Sequence, residues 1–223
     1  MWIPFGEISA ASSTELTLRK KTEASRIWVR SLESKKEIRK IVRSKRAALP
    51  EDERLKYSAL IRDRLFDQPL YQQADEVYCY VSFEEEVITY GILEHVWKSG
   101  RRLAVPKILT DSGPFMRMEF FYIESLADLK KGYFGIPEPD EDRPAGNPDS
   151  GKNVLVVMPG VAFDKNRRRI GYGKGFYDAY LKRHPDYRTI ALAYSIQCLD
   201  SIPSREHDIR PEMIITEREI YTC

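Results

Sequence analysis

From Lys35 onward the chain alternates helical and strand-like hydrophobic patterns. Ile38, Ile41 and Val42 recur at helical spacing, with Lys36, Arg39, Lys40 and Arg43 on the other faces, which predicts a helix. Leu49-Pro50-Glu51-Asp52-Glu53 predicts a second one, with proline at the first turn and acids near the positive end of the dipole. Tyr57, Leu60, Ile61 and Leu65 form its stripe. EVYCYVSF (76–83) is β-branched and aromatic and reads as a strand. Ile88, Ile92, Val96 and Trp97 mark another amphipathic helix, closed by Gly100. RLAVPKI is a strand candidate with Pro106 expected at its end, and MEFFYI is another. NVLVVMPG is the continuous apolar run of a buried parallel strand, and TIALAYS and EMIIT resemble it.

Strands alternating with helices predict an α/β fold: a three-layer α/β/α sandwich around a mostly parallel central sheet. Residues 34–223 are expected to form one catalytic domain, and residues 1–33 a poorly ordered extension. The Pro- and Gly-rich stretch 125–151 is expected to be a long surface connection within that domain. Ligands of such folds bind beyond the carboxyl ends of the strands, so Ser82–Glu86, Pro159–Asp178 and Gln197–Asp208 are the places to look for chemistry.

Composition narrows the partners. Lys+Arg 36 against Asp+Glu 34 leaves a net charge of +2, so no global field favours nucleic acid or membrane. The cations are nonetheless clustered, in Arg19–Arg46 and in Lys165–Lys174, which suits small anionic ligands such as phosphates. Three scattered cysteines make no disulfide framework and point to a reducing, cytoplasmic setting. No apolar run approaches the ~20 residues of a membrane span.

The densest chemistry lies in RRRIGYGKGFYDAYLKR (167–183). Gly171, Gly173 and Gly175 alternate beside Arg167, Arg168, Arg169 and Lys174, and a helix starting near Phe176 would aim its positive end at the same place. These are the parts of a phosphate cradle, and also of a plain Gly-rich turn. The dinucleotide fingerprint fails because Phe176 stands where its last glycine should be. The P-loop fails because Gly175 follows Lys174. Asp178 could serve Mg²⁺ or simply favour the helix start.

The longer stretch PGVAFDKNRRRIGYGKGFYDAYL closely resembles the signature of the 5-formyltetrahydrofolate cyclo-ligase (methenyltetrahydrofolate synthetase) family. KKEIRKIVRSKRAALPEDER resembles the family's basic N-terminal helix, YVSFEEEVIT its folate-contacting loop, and YFGIPEP its Ile-Pro-x-Pro tract. The likeness runs from about Ser34 to the C-terminus. It implies a three-layer α/β/α fold and conversion of 5-formyltetrahydrofolate, polyglutamylated or not, to 5,10-methenyltetrahydrofolate, with ATP and Mg²⁺ as cofactors and ADP and phosphate released. It implies no nucleic-acid or membrane partner, and a monomer or weak homodimer is expected.

Residue by residue, the resemblance implies that Lys35 (or its neighbour Lys36) and Arg39 contact ATP. Arg169 and the stretch Gly171, Tyr172, Gly173, Lys174, Gly175, Phe176 and Tyr177 form the nucleotide loop, with Lys174 and Arg169 catalytic. Asp178 and Asp208 are the implied magnesium ligands. Glu86 is the implied acid for the pterin, where a carboxylate can accept paired N–H donors. Val81, Phe134, Tyr172 and Phe176 border the folate, and Lys107 stands where the family often carries arginine. The rival readings are a nucleic-acid-binding module using Arg19–Arg46, another α/β enzyme such as a sugar-phosphate isomerase or acyl-CoA transferase, and a folate binder without catalysis.

Overall fold

The computed structural model describes residues 34–110, 116–146 and 152–222, apart from the Phe134 side chain. The expectation for residues 1–33 lies outside the described residues. In chain order the helices are α1 (Lys35–Ala47), α2 (Glu51–Phe66), α3 (Pro69–Gln72), α4 (Tyr90–Lys98) and α5 (Phe176–Arg183). The main-sheet strands are β1 (Glu76–Cys79), β2 (Arg102–Thr110), β3 (Met116–Ile123), β6 (Val154–Met158), β9 (Arg188–Leu192), β11 (Met213–Ile215) and β12 (Ile220–Tyr221). The shorter strands are β4 (Leu129–Lys131), β5 (Pro137–Pro139), β7 (Ala162–Asp164), β8 (Arg169–Ile170) and β10 (Cys198–Leu199).

Seven strands form the central sheet in the order β12-β11-β9-β6-β1-β2-β3. The five inner strands pair in parallel, and β3 and β12 close the edges antiparallel. The α/β class and mostly parallel sheet are therefore as the sequence led us to expect. The period of two sorts each inner strand between two cores. Val77, Cys79, Leu103, Val105, Leu155, Val157, Ile190 and Leu192 face the core that buries Ile61 and Leu65 of α2 and Ile92, Leu93 and Val96 of α4. Tyr78, Ala104, Val156, Met158 and Ala191 face the other core, where Tyr180 and Leu181 of α5 pack. A third cluster joins Ile38 and Val42 of α1 to Val161, Ala162 and Ile170, so α1 caps the small sheet β10-β7-β8.

Three details differ from the sequence reading. Pro106 lies within β2 rather than at its end. The ladder from β2 to β1 has stopped at Ala104, so beyond it β2 is paired on one side only and tolerates proline. Leu60 is exposed, and α2 buries Ser58, Ile61 and Leu65 instead. The stretch 125–151 contains a β4–β5 hairpin, which Lys107 anchors by donating to the Pro139 carbonyl at 2.8 Å.

Chain order reverses between β1 and β6: β1 leads outward to β2, whereas β6 leads the other way to β9 and β11. The crevice beyond their carboxyl ends is where a ligand of such a sheet binds.

Candidate functional site

The loop after β1 forms one wall of the crevice. Its neck is cinched: the Ser82 N–H donates to Thr89 Oγ1 (3.0 Å), the Thr89 N–H to Ser82 Oγ (3.2 Å), and Thr89 Oγ1 to the Tyr80 carbonyl (2.9 Å). Within it Glu84 adopts φ 51°, a left-handed conformation that turns the acidic triplet back on itself. Of the triplet only Glu86 is buried; its Oε2 accepts the Phe83 N–H at 3.1 Å. Val81 is 3% exposed with its side chain in the core, so only its main chain is available to a ligand.

The wall after β6 is built by Asp164, which is fully buried. Its Oδ1 accepts the N–H groups of Asn166 (2.9 Å) and Arg168 (3.0 Å), and its Oδ2 accepts that of Ile202 (3.1 Å). The Phe-Asp of the signature thus shapes the loop rather than facing a ligand. Gln197 ties the same wall down by donating to the carbonyls of Gly160 (2.8 Å) and Val161 (3.0 Å).

The glycine loop follows β8. Gly173 and Gly175 have φ of 106° and 71°, and Gly175 is the residue from which α5 starts. Both conformations favour glycine. Lys174 between them is exposed. Arg39 of α1 donates its Nε to the Gly171 carbonyl at 2.7 Å and clamps the loop to the helix. Arg169, 7% exposed, donates to Asp178 Oδ1 at 2.9 Å, and its Nε, also buried, has no partner. Asp178 Oδ1 also accepts the N–H of Ile209 at 3.0 Å, which brings the neighbouring Asp208 to the same end of the crevice. Asp208 pairs with Lys35 at 2.5 Å, and together with the Arg205 N–H this holds its carboxylate below the usual range, although burial alone would raise it.

Tyr172 joins the two walls. Its ring is 46% exposed, whereas its hydroxyl is enclosed: it donates to Glu86 Oε1 at 2.6 Å and accepts from Arg46 Nη2 at 2.9 Å. Burial pushes the Glu86 carboxyl above its ordinary value, partly opposed by Tyr172, the Phe83 N–H and Arg46. A cleft of about 540 Å³ opens over this contact, lined by Lys36, Arg39, Lys40 and Arg43 of α1, by Glu84 and Glu85, and by Tyr172. Lys35 and Lys36 therefore separate. Lys35 turns to Asp208, and Lys36 faces the cleft.

The predicted residues thus fall into two adjoining groups, Lys35, Arg39, Arg169, the glycine loop, Asp178 and Asp208 on one side, Val81, Glu86 and Tyr172 on the other. The Phe134 side chain lies outside the described residues; its short helical turn Tyr133–Gly135 comes close to Phe83, since a Cβ on Gly135 would lie 3.9 Å from that ring. Arg46 was not anticipated, nor were Ser58 and Tyr194, whose hydroxyls bond each other at 3.0 Å while that of Tyr194 donates to the Glu86 carbonyl at 3.1 Å. Among the described residues no three His, Cys, Asp or Glu side chains gather as a metal site, and no helix is long and apolar enough to cross a membrane.

A profile of the 5-formyltetrahydrofolate cyclo-ligase family matches residues 31–217. The chain belongs to that family. It is 30% identical over 190 residues to the mouse 5-formyltetrahydrofolate cyclo-ligase, covering 82% of this chain and 94% of that one. It is 27% identical over 183 residues to the Escherichia coli K12 enzyme of the same name, covering 81% and 99%. The fold is similar to the solution structure of Aquifex aeolicus 5,10-methenyltetrahydrofolate synthetase, with a TM-score of 0.72, 31% identity, and 84% and 92% of the two chains covered.

Proposed function

We propose that this protein is a 5-formyltetrahydrofolate cyclo-ligase, converting 5-formyltetrahydrofolate to 5,10-methenyltetrahydrofolate with ATP cleaved to ADP and phosphate. Family membership supports the reaction. The observation that carries the division of labour is Tyr172, whose backbone lies in the glycine loop and whose hydroxyl reaches the buried acid Glu86. A phosphate subsite and a folate subsite therefore share one residue.

A formamide oxygen is a poor leaving group. Transfer of the γ-phosphoryl group of ATP to it gives an iminium phosphate and ADP. N10 then attacks the activated carbon and loses its proton to solvent, and departure of phosphate leaves the methenyl bridge. Such a transfer asks the protein for positioning and for cations around the phosphates. Lys174 and Arg169 meet the phosphates from the loop, and Lys35 and Arg39 from α1. The backbone N–H groups of Gly171–Tyr177, uncrowded at the three glycines, give a surface that the phosphates can approach closely. Glu86 accepts N–H donors of the pterin, with the Val81 main chain, Phe134, Tyr172 and Phe176 around it.

Asp178 and Asp208 fit a nucleotide-bound magnesium, which takes one or two carboxylates plus phosphate oxygens and water. The ion, when bound, neutralises charge on the phosphate oxygens. Arg169 and Lys35, which pair with these carboxylates, lie where they can also face the phosphates.

The test is turnover. Protein mixed with 5-formyltetrahydrofolate, ATP and Mg²⁺ should develop the near-ultraviolet absorbance of methenyltetrahydrofolate, with one ADP per product. Folded protein that fails to do so overturns the proposal.

A further inference from the structure

Arg46 is a cation in an apolar place. It continues the Ile38–Val42 stripe of α1, is 1% exposed, and carries a buried Nε with no partner among the described residues. A guanidinium is rarely buried so deeply unless an acid compensates it. The compensating acid, Glu86, is reached through a phenol. Arg46 has donors only, so the Tyr172 hydroxyl must accept from it and can give its single proton only to Glu86 Oε1. Both hydroxyl functions of Tyr172 are thereby fixed in direction, and Glu86 is left as acceptor at both oxygens.

We propose that Arg46 is a positioning residue for substrate binding, acting through Tyr172 to hold Glu86 as an ionised acceptor for the paired N–H donors of the folate ring. This rests on Glu86 being the acid for that ring. The other groups around Glu86 are Glu84 and Glu85 from its own turn, Tyr80 just after β1 and Tyr177 from α5, with Arg43 of α1 (3.4 Å) and Arg54 of α2 (3.5 Å) bonding Glu84. Tyr194, after β9, donates to its backbone carbonyl at 3.1 Å. Arg43 and Arg54 are engaged with Glu84 on the exposed side of the turn, so Arg46 is the cation set against the burial of Glu86 itself. The phosphate cations Lys174 and Arg169 take no part in the relay.

The experiment measures initial rates on the full chain across pH for wild type, Arg46→Met, Arg46→Lys, Tyr172→Phe and the double variant Arg46→Met/Tyr172→Phe. For Arg46→Met the KM for 5-formyltetrahydrofolate should rise about tenfold, and the acid limb of kcat/KM for the folate should move up by about one pH unit. The KM for ATP should stay within about threefold, because only folate binding is charged with the loss. Arg46→Lys should recover part of the pH shift. Tyr172→Phe should shift the limb in the same direction, and the double variant should be no worse than the worse single one, because both cut the same relay.

A purely structural Arg46 would lower thermal stability and leave the folate KM and acid limb unchanged; that result overturns the proposal, as do additive effects in the double variant. Should Arg46→Met not fold, Arg46→Gln decides: it keeps a hydrogen-bond donor and removes the charge, and an unchanged folate KM and acid limb in that variant overturns the proposal. An inactive but folded wild type instead overturns the cyclo-ligase reading, and this proposal falls with it.

Discussion

Two buried glutamates, at the amino end of β1 and beyond its carboxyl end, have the same kinds of companion and different fates. Glu76 opens β1 and sits beside Arg102, its register partner on β2, with Arg102 Nη1 at 3.2 Å and the hydroxyls of Tyr122 and Tyr78 at 2.5 and 3.4 Å. Glu86 lies beyond the carboxyl end of β1 with Tyr172 and Arg46. The burial is inverted between them. At Glu76 both tyrosines are buried and the arginine is about half exposed, lying 3.6 Å from the Tyr122 ring centroid. At Glu86 the arginine is buried with an unpartnered nitrogen and the tyrosine ring opens to a cleft. The same three residue types close a sheet at one end and hold an acceptor ready at the other. What separates them is the end of the parallel sheet they occupy and what remains exposed.

Several substitutions sharpen that contrast. Lys174→Ala should have the largest effect, about a 10³-fold loss of kcat or more, as removal of a phosphate-directed cation does in phosphoryl transfer. Its exposure predicts an unchanged melting temperature by calorimetry. Glu86→Gln should raise the folate KM about 10- to 100-fold, the cost of a lost charge-assisted hydrogen bond, with the ATP KM little changed. Glu76→Gln should do the opposite: about 1–3 kcal/mol of stability lost in denaturant melts, and an unaltered folate KM. A folate effect from Glu76, or none from Glu86, would break the distinction.

The pH dependence follows from the raised Glu86 carboxyl. Folate binding that needs the carboxylate should fall as pH drops through that raised value, somewhat above the ordinary glutamate range. For folding the sign reverses. The native state holds this proton longer than the unfolded chain, so Glu86 lowers stability as pH rises between the unfolded and folded values. Glu86→Gln should abolish that slope in pH-dependent melts. The smallest effect on turnover belongs to Arg102→Met, which leaves Glu76 the hydroxyls of Tyr122 and Tyr78 and should change neither KM.

The inner strands were legible because a parallel strand covered on both faces must be apolar throughout, as VLVVM in β6 is. The glycine loop was legible because two of its positions take positive φ. The β4–β5 hairpin was hidden among prolines whose pairing depends on Lys107, a contact made across the fold. Leu60 misled because α2 has a polar residue, Ser58, on its buried side, where it bonds the Tyr194 hydroxyl and the Ile88 N–H. Arg46 did leave a signal. It falls four residues after Val42 and eight after Ile38, a cation in register with an apolar stripe. Its partner was not readable, since Tyr172 lies 126 residues away.

We propose that ATP activates the formyl oxygen of the folate at this crevice. That activation is tested most directly by turning over 5-formyltetrahydrofolate that carries heavy oxygen in the formyl group and weighing the released phosphate by mass spectrometry. Phosphorylation of that oxygen predicts one heavy oxygen in every phosphate formed. Heavy oxygen recovered in water, with unlabelled phosphate, would contradict the account.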